Sequence, residues 1–387
     1  MQTEVYKGSK IVTCINCITG KTEELIFQNG RLKDINETKA TASTSLFIGT
    51  GLIDLQVNGI NGIDFNNPSL TQEDIVKATH YLLGEGITKF LPTVITNSDD
   101  NILQLLNTIY QACLADSLVN DCICGIHLEG PFISSSAGAK GAHDERYIKL
   151  PDWALFKRFQ EAAGGKIKLI TLAPELEGSR PFIKKCKDQG ILVSIGHSMA
   201  NSEQINEAVA AGASLSTHLG NAVPLLLPRH PNLIWDQLAA EDLYACIITD
   251  GIHIPDSFIK VVIKTKGSAT ILVSDATCFT GMPPGEYESH IGGTVILDHE
   301  KRISLKRSPG LLAGAATTLL ENIGYLIAKN ISTLAESWQM ASTNVEKLLA
   351  QNDAGFDHQN DKVLFHLIGK EIQIESVIKN GTVVFER

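Results

Sequence analysis

Residues 191–222, ILVSIGHSMANSEQINEAVAAGASLSTHLGNA, indicate the fold of this chain. They contain a short apolar run, a segment with apolar residues at helical spacing, and a second short apolar run. This order is typical of a βαβ unit, in which a crossover helix joins two parallel strands. Asn201 and Ser202 are the candidate N-caps of the helix, because their side chains can accept hydrogen bonds from its first backbone amides.

The same alternation continues on both sides of this stretch, through residues 49–345. Further strand candidates are GLIDLQVNG, ITKFLPTVIT, CICGIHLEG, KIKLITLAPE, LYACIITDG and ATILVSDAT. With about eight strands, the pattern predicts an α/β chain with a TIM-like (β/α)8 barrel of the metal-dependent hydrolase type. An open doubly wound sheet is the alternative, but no G-x-G-x-x-G motif follows the first strand.

Both ends of the chain have a β pattern instead. Residues 1–48 contain KIVTCINCIT and EELIFQNGRLKDI, and residues 346–387 contain KVLFHLI and EIQIESVIKNGTVVFER. Asn380 and Gly381 form a strong hairpin-turn signal between two of these strands. We expect residues 1–48 plus 346–387 to combine into one small β-sandwich accessory domain beside a barrel of residues 49–345.

Composition excludes several classes of protein. The 387 residues include 33 Lys+Arg and 43 Asp+Glu, a net charge of -10, which argues against a general nucleic-acid binder. A hydrophobic content of 43% argues against disorder. No apolar run approaches the ~20 residues of a membrane span, and no signal-peptide pattern is present, so we expect a cytoplasmic protein without a membrane partner. Its 8 cysteines are then expected to be reduced, with Cys14-x-x-Cys17 in a structural role.

Polar residues that can bind metals or transfer protons stand where the predicted strands end. Because the C-terminal ends of the strands of a parallel barrel open on one face, we expect these dispersed residues to converge on one site. They are Gln56, Asn58, His127, Glu129, His197, His218, Asp250, His253 and Asp275.

Three of these residues form a candidate metal site. Glu129, His197 and His218 provide one carboxylate and two imidazoles, a set that is typical of a catalytic zinc or a similar divalent ion with open coordination positions. The alternatives are a salt bridge at the barrel mouth for the glutamate and structural roles for the histidines. His127 lies one pleat below Glu129 and is expected to be packed or to support a ligand.

Other residues are candidates for proton transfer and substrate binding. Asp275 could take a proton from water and pass it to a leaving amine, or it could cap a helix. His143 and Arg146 lie in a glycine-rich loop, where substrate contacts are common. Arg229 could anchor an anionic group or be a solvated surface residue.

Together these motifs resemble those of the N-acetylglucosamine-6-phosphate deacetylase family, in the amidohydrolase superfamily. The matching segments follow the family's order and cover most of residues 49–345. They are GLIDLQVNGINGIDFNN, GEGITKFLPTVIT, HLEGPFIS, KGAHDERYI, TLAPE, GHSMANSEQINEAVAAGA, THLGNAVP, ITDGIHIP, LVSDAT and LLAGAATTL.

The resemblance implies hydrolysis of N-acetylglucosamine-6-phosphate to glucosamine-6-phosphate and acetate, as a step of amino-sugar catabolism. It implies Glu129, His197 and His218 as metal ligands, with Asp275 and His143 as the catalytic residues. It also implies a homodimer, in which the phosphate-binding arginine of some members reaches the neighbouring subunit. The residues that would contact the substrate are Ala142, His143, Asn221, Ala222, Arg229, His253, Leu312, Ala313 and Gly314.

One feature of these motifs bears on the metal count, and two departures from the family pattern bear on the substrate. Many amidohydrolases have His-x-His after the first strand, where this chain has Gln56-Val57-Asn58, so we expect one divalent ion per subunit. Zinc is the expected ion, with iron, manganese and cobalt as alternatives. Gly220 replaces an aromatic residue, and Arg229 has lost its usual Glu-Pro-Gly neighbours. The alternatives are therefore a deacetylase for an isomer such as the galactosamine-6-phosphate derivative, another amidohydrolase, or a non-catalytic scaffold.

Overall fold

Strands and helices alternate through the middle of the chain, and strands dominate both ends. The structure, a computed structural model, describes residues 8–39, 44–289, 293–353 and 355–387. These divide into two units. The first contains the described residues 8–39, 44–54, 79–89, 318–353 and 355–387, and the second contains residues 55–78, 90–289 and 293–317. The boundaries expected from the sequence, near residues 48 and 346, stay a prediction.

The strands are numbered in chain order. They are β1 Ser9–Asn16, β2 Thr22–Gln28, β3 Arg31–Glu37, β4 Leu46–Thr50, β5 Leu52–Val57, β6 Gly59–Ile60, β7 Ile63–Asp64, β8 Ile87–Ile95, β9 Ile126–Glu129, β10 Ile167–Leu172, β11 Leu192–Ile195, β12 Leu215–Ser216, β13 Tyr244–Ile247, β14 Thr270–Leu272, β15 Gly285–Ser289, β16 Gly293–Leu297, β17 Ile303–Leu305, β18 Ser308–Leu312, β19 Lys362–Ile368, β20 Glu371–Lys379 and β21 Thr382–Glu386.

The helices are numbered in the same way. They are α1 Gln72–Gly84, α2 Asp99–Ala115, α3 Ser117–Cys122, α4 Trp153–Ala162, α5 Ser179–Asp188, α6 Ser202–Ala211, α7 Leu233–Ala239, α8 Asp256–Lys266, α9 Leu319–Ala328, α10 Leu334–Met340 and α11 Thr343–Asn352. Within the described ranges, none of them combines the length and the apolar character that crossing a membrane requires.

Eight parallel strands form the predicted barrel. Their order is β14-β13-β12-β11-β10-β9-β8-β5, and bridges from Ala276 to Val57 and Ala315 bring the two edges of the sheet close to closure. Every residue of β8 is buried, because helices cover the outside of such a sheet and side chains fill its interior. The (β/α)8 fold class is therefore confirmed.

The stretch around residues 191–222 forms the βαβ unit that its pattern predicts. Strands β11 and β12 pair in parallel, with Ser194 opposite Leu215. Helix α6 joins them, and its N-cap is Asn201, which shares a capping box with Gln204. The capping residue is thus the first of the two sequence candidates, and it satisfies amides that would otherwise lack a partner at the helix start.

Strands from both ends of the chain form one sheet, as expected, but it is not a two-layered sandwich. The sheet closes on itself in the order β1-β2-β3-β21-β20-β19-β4, because β1 also pairs with β4. Closure leaves no unpaired edge between these strands. The apolar residues inside include Cys14, whose thiol pKa burial raises to about 12. Burial likewise raises the pKa of Cys17 to about 12, which supports a structural role for both thiols.

A further four-stranded antiparallel sheet, β15-β16-β17-β18, has no counterpart in the sequence expectations. It lies in the second unit and has its own small core, which includes Val295, Leu297 and Ile303. It leads from the segment after Asp275 to the Leu312-Ala313-Gly314 turn.

A buried ion cluster, also not predicted, lies in the unit that contains both chain ends. The Lys379 Nζ donates to Asp361 Oδ2 at 2.9 Å and to the Thr88 carbonyl at 2.9 Å. His358 Nδ1 lies 3.5 Å from the same carboxylate oxygen. Burial acts to raise the pKa of Asp361, but the nearby His358 imidazole and the charge and hydrogen bond of Lys379 outweigh burial. Together they hold the pKa of Asp361 well below its usual range.

We expect Asp361→Asn to lower the free energy of unfolding by about 3 kcal/mol near pH 7, because it removes the carboxylate charge that faces the buried Lys379 ammonium. The folded pKa of Asp361 is depressed, so the ionised carboxylate stabilises the fold above its unfolded pKa of about 3.9. This contribution is lost as the pH falls below about 4. Urea unfolding at pH 7 and at lower pH measures both effects.

The matched control for this variant is Asp357→Asn, which changes an exposed aspartate four positions earlier in the chain. It should shift the free energy of unfolding by no more than about 0.5 kcal/mol. Equal losses for the two variants would contradict a stabilising role for the buried cluster.

Candidate active site

The C-terminal ends of the barrel strands surround a cavity of about 450 Å³. Most of the residues expected at the site line it, although they come from strands and loops far apart in the chain. The predicted residues among its lining are Asn58, Glu129, Ala142, His143, His197, His218, Asn221, Ala222, His253, Asp275, Leu312, Ala313 and Gly314.

Three of these side chains meet at one point. Glu129 is the last residue of β9, and His197 and His218 follow the ends of β11 and β12. Glu129 Oε1 lies 3.1 Å from His197 Nε2 and 3.2 Å from His218 Nε2, and the two Nε2 atoms are 3.2 Å apart. All three residues are at most 5% exposed. The structure therefore brings together the three residues that the sequence singled out as metal ligands.

The donor atoms of this group fit a divalent cation. His197 Nδ1 lies 3.0 Å from the Ala139 carbonyl, which can only accept a hydrogen bond, so Nδ1 carries the hydrogen. In the neutral imidazole, Nε2 then presents a lone pair to Glu129 Oε1, and the lone pair and the carboxylate oxygen repel each other. A cation between the two atoms would replace this repulsion with attraction. A tetrahedral zinc ion with ligands at about 2.1 Å separates its donors by about 3.4 Å, close to the spacing observed.

His143 lies on the edge of the same group. Ligand atoms of Glu129, His143 and His197 lie within 4.8 Å of one another. His143 Nδ1, however, is 2.8 Å from Thr96 Oγ1, and its ring contacts the ring of His197 edge to face at 4.3 Å between centroids. Burial, followed by the charge of His197, lowers the pKa of His143 to about 3, so its imidazole is neutral near pH 7. The shorter distances favour His218 over His143 as the third ligand.

Asp275 is held beside this group by two amide side chains. Its Oδ1 accepts hydrogen bonds from Gln56 Nε2 at 3.0 Å and from Asn58 Nδ2 at 2.7 Å. Gln56 Nε2 also donates to Glu129 Oε1 at 3.1 Å, so one amide bridges two carboxylates that would otherwise repel each other. Burial and the nearby charge of Glu129 raise the pKa of Asp275 to about 6. Gln56 and Asn58 thus present donor nitrogens to the carboxylates.

The backbone is in the left-handed region at several of these positions. His197, His218, Asp275 and Ala222 have φ angles of 51°, 28°, 50° and 48°. Residues with a side chain adopt this region at a cost, and such residues concentrate at functional sites. The conformation lets each side chain turn from the end of its strand into the cavity.

The remaining wall of the cavity carries polar groups suited to a small polar ligand. His253 Nδ1 donates to Asp250 Oδ2 at 2.7 Å. Burial acts to raise the pKa of Asp250, but this hydrogen bond outweighs burial and lowers the pKa. Gly314 has a φ of 86°, and a Cβ there would lie 2.4 Å from Thr277 Cγ2. The turn at 312–314 therefore requires glycine at its last position.

Three residues considered from the sequence lie away from this cavity wall. Arg229 is exposed, and it is absent from the cavity lining found in the described part of the chain. Arg146 lines a neighbouring cavity of about 510 Å³ and pairs with Asp144 at 2.5 Å. His127 is buried below the site, and burial lowers its pKa to about 4, as expected for a packed histidine.

Several other residues line the cavity without having been predicted from the sequence. Asp64, Asn66 and Cys278 contribute polar atoms, and Phe279 an apolar face. Asp64 and Asn66 lie in the GIDFNN motif, whose polar residues follow a strand end by only a few positions. Their position shortly after a strand end could have indicated that they line the site. Ser289 also lines the cavity, but it lies in β15, and the sequence did not predict the sheet to which β15 belongs.

Comparison with known proteins finds no matching family model. A curated relative from Bacillus subtilis, named N-acetylglucosamine-6-phosphate deacetylase, is 34% identical over 316 residues, which cover 81% of this chain and 77% of the relative. A Caenorhabditis elegans protein of the same name is 30% identical and covers 97% of this chain and 95% of its own length. A relative from a Shewanella species, 30% identical over 81% of this chain and 76% of its own length, is named N-acetylgalactosamine-6-phosphate deacetylase.

The fold agrees with these relationships. The crystal structure of N-acetylglucosamine-6-phosphate deacetylase from Pasteurella multocida superposes with a TM-score of 0.83, at 24% identity, over 97% of this chain and 99% of that one. This chain therefore belongs to the N-acetylglucosamine-6-phosphate deacetylase family of hydrolytic enzymes, in the amidohydrolase superfamily.

Proposed function

We propose that this protein hydrolyses the acetamido group of N-acetylglucosamine-6-phosphate, releasing acetate and glucosamine-6-phosphate for amino-sugar catabolism. The observation that carries the proposal is the convergence of Glu129, His197 and His218 beside Asp275 on one cavity wall. Two relatives with this activity in their names support the choice of substrate.

Glu129, His197 and His218 would hold one divalent ion, and we propose zinc. When bound there, the ion would supply a Lewis acid that lowers the pKa of water towards about 7 and polarises the amide carbonyl. Gln56 and Asn58 stand where a second pair of histidines would be needed for a second ion. Their amide nitrogens donate to Glu129 and Asp275, and this supports a single ion per subunit.

Asp275 would carry the proton through both halves of the reaction. In its ionised form it takes a proton from the attacking water, because it lies within the cavity and its Oδ1 is oriented by two amides. It then gives this proton to the sugar nitrogen as the carbon–nitrogen bond breaks. The amine leaves as a neutral group and the acyl group as acetic acid, which then gives up its own proton to water and becomes acetate.

His143 would stabilise the negative charge that develops on the carbonyl oxygen. Its neutral imidazole can donate from Nε2 when Nδ1 accepts a hydrogen bond from Thr96 Oγ1. A donor already held in place before the reaction loses little free energy to reorganisation.

The sugar and its phosphate would occupy the rest of the cavity. Ala142, Asn221, Ala222, His253 and the turn at 312–314 line this part and would contact the substrate. The described lining contains no lysine or arginine, so the phosphate would need a cation from elsewhere. We propose that Arg229 supplies it in a homodimer, reaching the site of the neighbouring subunit from its exposed loop.

We further propose a cytoplasmic location and two domains. All eight cysteines are thiols outside any disulfide bond, which suits a reducing compartment. The accessory domain would comprise residues 1–48 plus 346–387 and the barrel residues 49–345, although the inserted β15–β18 sheet lies within the latter range.

A substrate panel tests the proposed activity. We expect acetate release to be at least about tenfold faster, by kcat/KM, for N-acetylglucosamine-6-phosphate than for the unphosphorylated sugar, since phosphate capture by Arg229 would be lost with the latter. The galactosamine-6-phosphate and mannosamine-6-phosphate derivatives complete the panel. Acetate release is measured by a coupled assay.

The same panel distinguishes the proposed activity from its alternatives. Faster hydrolysis of the galactosamine isomer would assign the chain to the activity named for the Shewanella relative. Equal rates with and without phosphate would contradict the role of Arg229. No acetate from any member, with metal bound, would favour a non-catalytic protein.

A further inference from the structure

A continuous chain of hydrogen-bonding side chains lies in the barrel interior below the proposed metal ligands. It consists, in order, of Thr93, His127, Thr171, Thr217 and Ser194, and we call it the hydroxyl chain. All five residues are at most 5% exposed. Thr93 Oγ1 lies 3.3 Å from His127 Nδ1, and His127 Nε2 lies 2.8 Å from Thr171 Oγ1. Thr171 Oγ1 lies 2.7 Å from Thr217 Oγ1, which lies 2.6 Å from Ser194 Oγ.

The hydrogens of this chain can be assigned from its last link backwards. Thr217 uses its one hydroxyl hydrogen to donate to Ser194, so Thr171 must be the donor to Thr217. Thr171 must then accept from His127, and His127 Nε2 carries the hydrogen. Each group from His127 onwards therefore depends on the one before it, and removal of one hydroxyl disturbs more than a single bond.

The chain has a member on β9, one on β11 and one directly after β12, and these are the strands that lead to the three proposed ligands. His127 precedes Glu129 by two residues on β9, and Thr217 directly precedes His218. Thr171, on β10, is the register partner of both Glu129 and Ser194. Ser194 lies on β11, the strand that leads to His197. Thr171 therefore lies between the strand of Glu129 and the strand that leads to His197.

The chain also reaches the amides that hold the catalytic aspartate. Thr93 Oγ1 accepts a hydrogen bond of 3.1 Å from the backbone N–H of Val57, the residue between Gln56 and Asn58. The same buried groups therefore connect the strand of the amides with the strands of the ligands.

The glycine before His197 makes room for this arrangement. A Cβ at Gly196 would lie 2.6 Å from Thr217 Cβ and 2.8 Å from Thr171 Cγ2, distances that Cβ atoms do not adopt without a shift of their neighbours. Only glycine lets β11 approach the two threonines closely enough for their hydroxyls to meet.

We propose that the hydroxyl chain is a positioning device for the metal ligands. It sets the relative positions of β9, β11 and β12 along the barrel axis, so that Glu129, His197 and His218 reach one point. This inference rests on the metal site of the proposed function. Groups hydrogen-bonded directly to a metal ligand commonly change metal affinity by 10–100-fold, and the hydroxyl chain acts one step further away, through the strands.

Measurements of zinc affinity distinguish a role of the hydroxyl chain in positioning the ligands from a role in packing alone. Thr171→Val keeps the shape of the side chain and removes the hydroxyl at the centre of the chain. We expect it to weaken zinc binding about tenfold, the lower end of the range for groups bonded directly to a ligand. Thr171→Ser restores the hydroxyl and should stay within about twofold of the wild type. The matched control is Ser216→Ala, on β12, whose hydroxyl has no hydrogen-bond partner among the described residues. Zinc affinity is measured by competition with a chromogenic chelator, and urea unfolding of the metal-free proteins confirms that each is folded.

The outcomes distinguish this inference from the proposed function. Zinc affinity of Thr171→Val within about twofold of the wild type would overturn the inference, as would equal weakening in the valine and serine variants. If valine at position 171 prevents folding, Ser194→Ala provides the second test, with several-fold weaker binding expected and unchanged binding overturning the inference. Absence of zinc binding by the wild type would contradict the metal site itself, whereas failure of the substrate panel would leave these affinities unaffected.

Discussion

Asp275→Asn should lower the turnover of acetate release by about 10²–10⁴-fold, the range that a positioned general acid and base contributes. Asparagine has nearly the same shape, and its carbonyl oxygen can still accept the hydrogen bonds from Gln56 and Asn58. It cannot take a proton from water near neutral pH. Fold and metal content should therefore be retained while proton transfer is lost.

Turnover and bound metal must be measured on the same preparation. The matched control is Asp242→Asn, which changes an exposed aspartate outside the described cavity lining and should keep normal turnover. Near-normal activity of Asp275→Asn would assign the proton transfer to another group. Loss of metal together with activity would instead show that this carboxylate is needed for the metal site.

Removal of the metal should abolish catalysis almost completely. We expect dialysis against a chelator to lower acetate release about 1,000-fold, since polarising the carbonyl and activating water is worth several kcal/mol. Activity should return with about one equivalent of zinc per chain. His218→Ala should have the same effect without recovery, because it removes one of three ligand atoms that lie 3.1–3.2 Å apart.

Elemental analysis of the purified protein gives the stoichiometry. His80→Ala, a change to an exposed histidine on α1, is the matched control and should keep both metal and activity. About two ions per chain would contradict the single-ion proposal, which depends on Gln56 and Asn58 replacing histidines. Full activity after exhaustive chelation would contradict metal dependence.

The barrel and the central group of its site could be predicted from the sequence because both depend on local order along the chain. Buried parallel strands appear as short apolar runs with helical segments between them, and the residue after each run falls on the catalytic face. This pattern alone placed Glu129, His197, His218 and Asp275 together, and the structure brings them around one cavity.

Other features depend on partners that are distant in the chain and could not be predicted. Lys379 would ordinarily be exposed, and only the pairing of β19 with β20 places it beside Asp361. The inserted sheet β15–β18 interrupts the strand–helix alternation, and that alternation alone does not predict four consecutive antiparallel strands. The hydroxyl chain consists of threonines and a serine that look like ordinary strand residues, and their alignment follows from strand register.

The left-handed backbone at His197, His218 and Asp275 has a consequence for the evolution of this enzyme. Each such residue costs about 1–3 kcal/mol relative to a relaxed conformation. The three together cost about 3–9 kcal/mol, which is comparable to the net stability of about 5–15 kcal/mol of a typical fold. Selection for heat resistance alone would favour glycine or asparagine at these three positions and would eliminate the site. The strain at these three positions therefore subtracts from the stability that is left to absorb destabilising mutations elsewhere in the barrel.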